Sequence, residues 1–132
     1  MPLSRSDVRS HLRDLLEGAR GVAPHLRVAL VFGDPADFPN ERDFAMCGLV
    51  RKNHARVIVA PKIVDEPLAV VSALLRHEIA HAVLLNLGAD DHAERDADSM
   101  AEAIWKAPIY YDERDVETLE PGTRPRPGRL PR

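Results

Sequence analysis

The residues with the most chemical potential in this sequence are His77, Glu78 and His81, inside the run LLRHEIAHAVL from Leu74 to Leu84. On a helix, positions i and i+4 share a face, with Cβ atoms roughly 5–6 Å apart. Two imidazole nitrogens so spaced can reach one metal ion at about 2.0–2.1 Å each. Glu78 follows the first histidine, so it projects beside such an ion rather than onto it. There it could take a proton from water activated at the metal and pass it to a leaving amine. The helix around these residues is apolar on nearly every side, the pattern of a buried helix. Buried polar groups need partners, because an unpaired buried charge is expensive. The plainer alternative is a polar seam in which the two histidines are hydrogen bonded and Glu78 is exposed.

Two histidines do not complete a metal site. The next helical stretch offers HAERDAD, His92 to Asp98. Glu94 comes 13 residues after His81, and Asp98 lies one helical turn beyond it on the same face. Glu94 could therefore complete a His, His, Glu set, while Asp98 could accept the spare N–H of a ligand histidine and fix its tautomer. Other assignments compete. Asp91-x-x-Glu94 also fits a capping box, in which Glu94 would only bond to the helix start. His92 is a rival third ligand at the start of that helix or in the loop before it. Asp96 is another, although it points about 200° round the helix from Glu94.

The elements that must position these residues read as an α+β fold. A helix is expected from Ser4 to Glu17, capped by Ser6 or Asp7, with Val8, Leu12, Leu15 and Leu16 as its apolar stripe and Gly18 as its stop. LRVALVF (Leu26 to Phe32) reads as a strand, and GDPADFPNERD after it as a loop. Ala45 to Lys52 and Ala55 to Ile63 flank Asn53 and His54 as a β-hairpin, with Pro61 ending the second strand or confining it to an edge. The motif helix follows Pro67 and stops at Gly88. A second helix opens at Asp91 and ends before Pro108, with Ala93, Ala97, Met100, Ala101 and Ile104 at helical spacing. The expected assembly is a small, mainly antiparallel three-stranded sheet packed on the motif helix, with the second helix supplying the third ligand. His11, His25 and His54 read as solvated, Cys47 as a small buried side chain and Trp105 as packing.

Bulk properties bound the reading further. At 132 residues the chain fits one domain over residues 1–120, followed by a Pro/Arg-rich tail over residues 121–132 that is expected to be disordered or loosely extended. The 45% hydrophobic content allows a normal core. A net charge of -3 and a pI near 6.0 give no reason to expect nucleic acid as the main partner. Cys47 is the one cysteine, which excludes an internal disulfide and fits a reducing compartment. The opening MPLSRSDVRSHL lacks the apolar core of a signal peptide, and no stretch reads as the roughly 18 apolar residues of a membrane span. The expectation is a cytoplasmic protein that does not engage a membrane. Nothing in the sequence indicates an oligomeric state.

HEIAH followed by ERDADSMAEAIW resembles the zincin metallopeptidases, and among them the ImmA/IrrE-type peptidases of phages, mobile elements and bacteria. Those pair HExxH with a helix of the kind E-x-x-A-[ND]-x-x-A, matched here by Glu94, Ala97, Asp98 and Ala101. The resemblance covers roughly Val28 to Trp105. It implies a minimal zincin core and a Zn2+-dependent endopeptidase with His77, His81 and Glu94 as ligands and Glu78 as general base and acid. Members often cleave a transcriptional repressor or other regulator, so a protein or peptide substrate is expected. The strand Ala55 to Ala60 could then hold an extended peptide by strand addition, and Tyr110 or Tyr111 could stabilise the oxyanion. The rival function is a non-catalytic zinc-binding or interaction module on the same fold.

Overall fold

A computed structural model describes residues 3–40 and 43–106 of the chain. The tyrosines at 110 and 111 and the tail over 121–132 lie outside the described residues.

The first helix, α1, spans Arg5–Gly18. Its cap is Ser4 rather than Ser6 or Asp7. The Asp7 amide donates to Ser4 Oγ at 3.0 Å, and the Ser4 amide donates to Asp7 Oδ2 at 2.9 Å. This reciprocal box satisfies two amides that the helix start would leave unpaired, and holds the Asp7 carboxyl below its ordinary range through the bonds with Ser4. Val8, Leu12 and Leu16 form its buried stripe.

Three strands follow: β1 (Arg27–Phe32), β2 (Ala45–Arg51) and β3 (His54–Val59). The sheet order is β1-β3-β2, with β1 parallel and β2 antiparallel to β3. The sheet is therefore mixed, not mainly antiparallel, and β3 is its central strand, not an edge. The twelve-residue connection over 33–44 carries the chain to the far edge, so that the β2–β3 hairpin returns β3 between its neighbours. β3 suits the centre because Ala55, Val57 and Val59 all turn into the core. Pro61 lies beyond the pairing and opens a short 3-10 turn, Pro61–Asp65, so the missing N–H removes nothing from the sheet. At the hairpin turn Asn53 takes a left-handed φ of 65°. Its amide donates to Asn86 Oδ1 at 2.6 Å, and Asn86 Nδ2 donates to Asn53 Oδ1 at 3.0 Å. The turn is thereby tied to the end of the next helix.

That helix, α2 (Leu68–Asn86), crosses the inner face of the sheet chiefly beneath β2 and is flanked by α1 and by α3 (Glu94–Trp105). It has 19 residues, and an 18-residue stretch of it with mean hydropathy 1.6 is long and apolar enough for a membrane span by composition alone, contrary to the sequence reading. Burial of 72% of that stretch within the protein gives it the environment of a core helix. Its end is a Schellman motif: Gly88 is left-handed at φ 87°, the Gly88 amide donates to the Leu85 carbonyl (3.0 Å) and the Ala89 amide to the Leu84 carbonyl (2.9 Å).

α3 begins three residues later than the sequence suggests. Ala93 is the cap residue, and the Asp96 carboxylate accepts from its amide at 2.8 Å. At the other end the Trp105 indole donates to the Leu15 carbonyl at 3.1 Å and lies so close to Gly18 that a Cβ there would come within 2.7 Å of Nε1. This contact fixes α3 against α1, and α2 is held between them. Trp105→Phe keeps the ring and removes the donor, and is expected to cost about 1 kcal/mol in urea unfolding. Leu74→Ala, at a fully buried position, is expected to cost about 2–5 kcal/mol in the same measurement.

Candidate metal centre

His77, Glu78 and His81 are buried on α2, at 1%, 0% and 0% exposure, so the exposed Glu78 of the polar-seam alternative does not occur. Each offers a ligand atom, these atoms lie within 4.8 Å of one another, and the group could hold a metal ion. α3 brings a further donor to them. Glu94, the first residue of α3, places Oε2 2.8 Å from His77 Nε2 and 2.7 Å from His81 Nε2, while the two Nε2 atoms are 2.9 Å apart. Its side chain stays 36% exposed, so the cluster is sealed at the histidines and open at the carboxylate.

The competing assignments for this stretch separate cleanly. Glu94 does not cap its own helix; Asp96 does, which turns Asp96 away from the cluster. His92 is buried beside the cluster but outside the triangle of donors, with Nε2 2.6 Å from His81 Nδ1 and Nδ1 2.6 Å from the Ala89 carbonyl. Asp98, one turn after Glu94, puts Oδ1 2.7 Å from His77 Nδ1.

A carboxylate can only accept, so His77 Nδ1 carries the hydrogen that Asp98 receives. In neutral His77 the Nε2 lone pair then points at the Glu94 oxygen and the His81 ring. Three acceptors within 3 Å of one another repel unless something positive sits among them. In the metal-free protein that is a proton on His77. Burial alone would depress its pKa, but hydrogen bonds to Asp98 and Glu94, with the charge of Glu78 nearby, outweigh it and raise the value to about 9. Burial lowers the pKa of His81, against the opposing pull of Glu94. For Glu94 burial works upward, but the bonds to His77 and His81 win and hold the carboxyl well below its usual range.

The donors also suit a small cation. A tetrahedral ion at about 2.0–2.1 Å from its ligands separates them by about 3.3 Å, so side-chain shifts of about half an ångström would open this triangle to the required size. The Glu78 carboxylate lies on the same helix, and its charge, after burial, helps push the thiol pKa of Cys47 well above normal. Nothing in the spacing of the sequence signals the Glu78–Cys47 neighbourhood, because it depends on which strand α2 crosses. His11, read as solvated, is half-buried, and burial lowers its pKa. Compared with protein-family models, curated proteins and solved structures, the chain has no match in any of the three.

The charged His77 makes a signed prediction for the chelator-treated protein. Its folded pKa of about 9 exceeds the ordinary histidine value of 6.5, so its stabilisation is complete below pH 6.5 and is lost as pH rises through 9. Glu94 acts in the opposite sense, stabilising above its ordinary value of 4.5 and fading as pH falls below it. Thermal unfolding with EDTA present should therefore show a Tm that declines between pH 6.5 and pH 9. His77→Gln should flatten that decline; an equal slope in both proteins would refute the assignment of the charge.

Proposed function

We propose that the protein is a zinc-dependent metallopeptidase that hydrolyses peptide bonds in a protein substrate. The observation that carries this reading is the convergence of His77 Nε2, His81 Nε2 and Glu94 Oε2 to 2.7–2.9 Å of one another, with Glu78 held beside them in the same buried group. Two imidazoles and one carboxylate are a donor set that favours zinc. Zinc bound to such a set acidifies water and polarises carbonyl oxygens. The remaining work falls to the chain's own groups. Glu78 takes the proton of the attacking water and delivers it to the departing nitrogen, and Asp98 holds the His77 ring in its tautomer.

The similarity of HEIAH and Glu94-x-x-Ala97-Asp98 to the ImmA/IrrE-type zincins supports the same assignment and a regulatory protein as substrate. A cytoplasmic site of action is part of this reading. The substrate would lie extended along β2, which among the described residues is the edge strand packed on α2, since β3 has both edges paired. A closed structural zinc site would need a fourth protein ligand, such as His92. Its Nε2 faces the far nitrogen of His81 instead, which leaves the open-site reading favoured.

Metal analysis and a quenched-fluorescence peptide library test the proposal. The purified protein should bind one zinc ion, and Glu94→Ala should weaken that binding by at least tenfold. Glu78→Gln should keep the metal and lose peptide hydrolysis by about 10²–10⁴-fold, the usual range for a general acid–base. Full zinc affinity in Glu94→Ala would remove it from the ligand set, and undiminished cleavage by Glu78→Gln would remove the mechanism.

A further inference from the structure

Behind His81 lies an unbroken line of polar atoms: the Ala89 carbonyl, His92 Nδ1 at 2.6 Å from it, His92 Nε2, and His81 Nδ1 at 2.6 Å from that. We infer that His92 is a positioning residue which, anchored by the Ala89 carbonyl, locks His81 in the tautomer whose Nε2 lone pair faces His77 and Glu94. This deepens the metal reading above and rests on it for its purpose, though not for its geometry.

The argument follows from what each atom can do. A backbone carbonyl only accepts, so His92 Nδ1 must carry the hydrogen it shares with Ala89. Neutral imidazole has one N–H, which leaves His92 Nε2 with a lone pair. That lone pair can be met at 2.6 Å only by a hydrogen on His81 Nδ1. His81 Nε2 is then bare, and it points to Glu94 Oε2 and His77 Nε2. Burial enforces the sequence of bonds: His81 is 0% and His92 7% exposed, so water is a poor substitute for any of them.

The anchor is itself fixed by the helix stop. Ala89 is the residue whose amide closes the Schellman motif on Leu84, after the left-handed Gly88. The His92 amide also reaches the Ala89 carbonyl, at 3.4 Å. The turn that ends α2 thus presents the carbonyl that sets the tautomer of a residue inside α2. His77 and His81 are oriented by different chemistry, one by the Asp98 carboxylate and the other by a neutral ring. The two histidines of one motif therefore differ in how they are held.

Long-range ¹H–¹⁵N NMR on histidine rings reads this directly in the metal-free protein. In the wild type His81 should appear as the Nδ1–H tautomer and His92 likewise. His92→Gln, whose amide oxygen can still accept, should preserve the His81 tautomer, whereas His92→Leu should shift it toward Nε2–H. Titration with zinc sulfate against a chromophoric chelator should then give about tenfold to hundredfold weaker binding for His92→Leu and a change below about threefold for His92→Gln. An Nε2–H tautomer for His81 in the wild type would overturn the inference, as would His92→Leu with an unchanged tautomer or unchanged zinc affinity. Failure of the metal reading looks different: the wild type itself would bind no zinc while the His81 tautomer still responded to His92→Leu.

Discussion

Everything in this small fold is organised around three acceptors that converge inside it. α2 buries most of its residues, His77, Glu78 and His81 among them, so these polar groups must be answered by whatever packs against it. α3 supplies that answer through its N-terminus. Because Glu94 is the first helical residue, its carboxylate projects back over His77 and His81, and Asp98 arrives one turn later at the opposite side of the His77 ring. The same placement puts an ionised carboxylate at the positive end of the helix dipole. The Trp105–Leu15 bond at the other end of α3 keeps the helix from rotating away. Positioning of the site and packing of the helices are one requirement met twice.

The two glutamates near the histidines occupy opposite surroundings. Glu94 is partly solvated and bonded to both rings, which favours its charged form and commits it to the cluster. Glu78 is fully buried, and its charge adds to the burial that raises the thiol pKa of Cys47. Its carboxylate belongs to the same buried group as the two histidines but lies outside the triangle formed by the two Nε2 atoms and Glu94 Oε2. Position along the helix decides this: one residue after His77 is about 100° round from it.

How much of this was legible depends on the range of the interaction concerned. The HExxH spacing and the all-round apolarity of α2 are local, and both were readable. Glu94 and Asp98 were readable as a pair because four residues on a helix share a face. The start of α3 was not, since Asp91 has the chemistry of a cap while the observed cap residue, Ala93, has none; Asp96 fills the role from inside the helix. Strand order is non-local. A hairpin and a preceding strand read naturally as a meander, and only the reach of the 33–44 connection lets β3 enter between β1 and β2. The place of His92 was hidden for a similar reason, because its partner is a carbonyl exposed by the Schellman turn and no residue type encodes that.

The arrangement also couples loading of the site to folding. A cluster of acceptors in a core this small opposes folding unless a proton or a cation sits among them, and whatever binds only the folded state stabilises it in proportion to the logarithm of its concentration over Kd. A substitution at Glu94, Asp98 or His92 therefore changes two things together: the geometry of the donors and the stability of the seam between α2 and α3. Glu78 belongs to α2 itself and lies outside the donor triangle. Loss of activity at Glu78 with the fold and the metal retained would speak for chemistry, whereas loss at the α3 positions speaks for chemistry only after their folding has been measured.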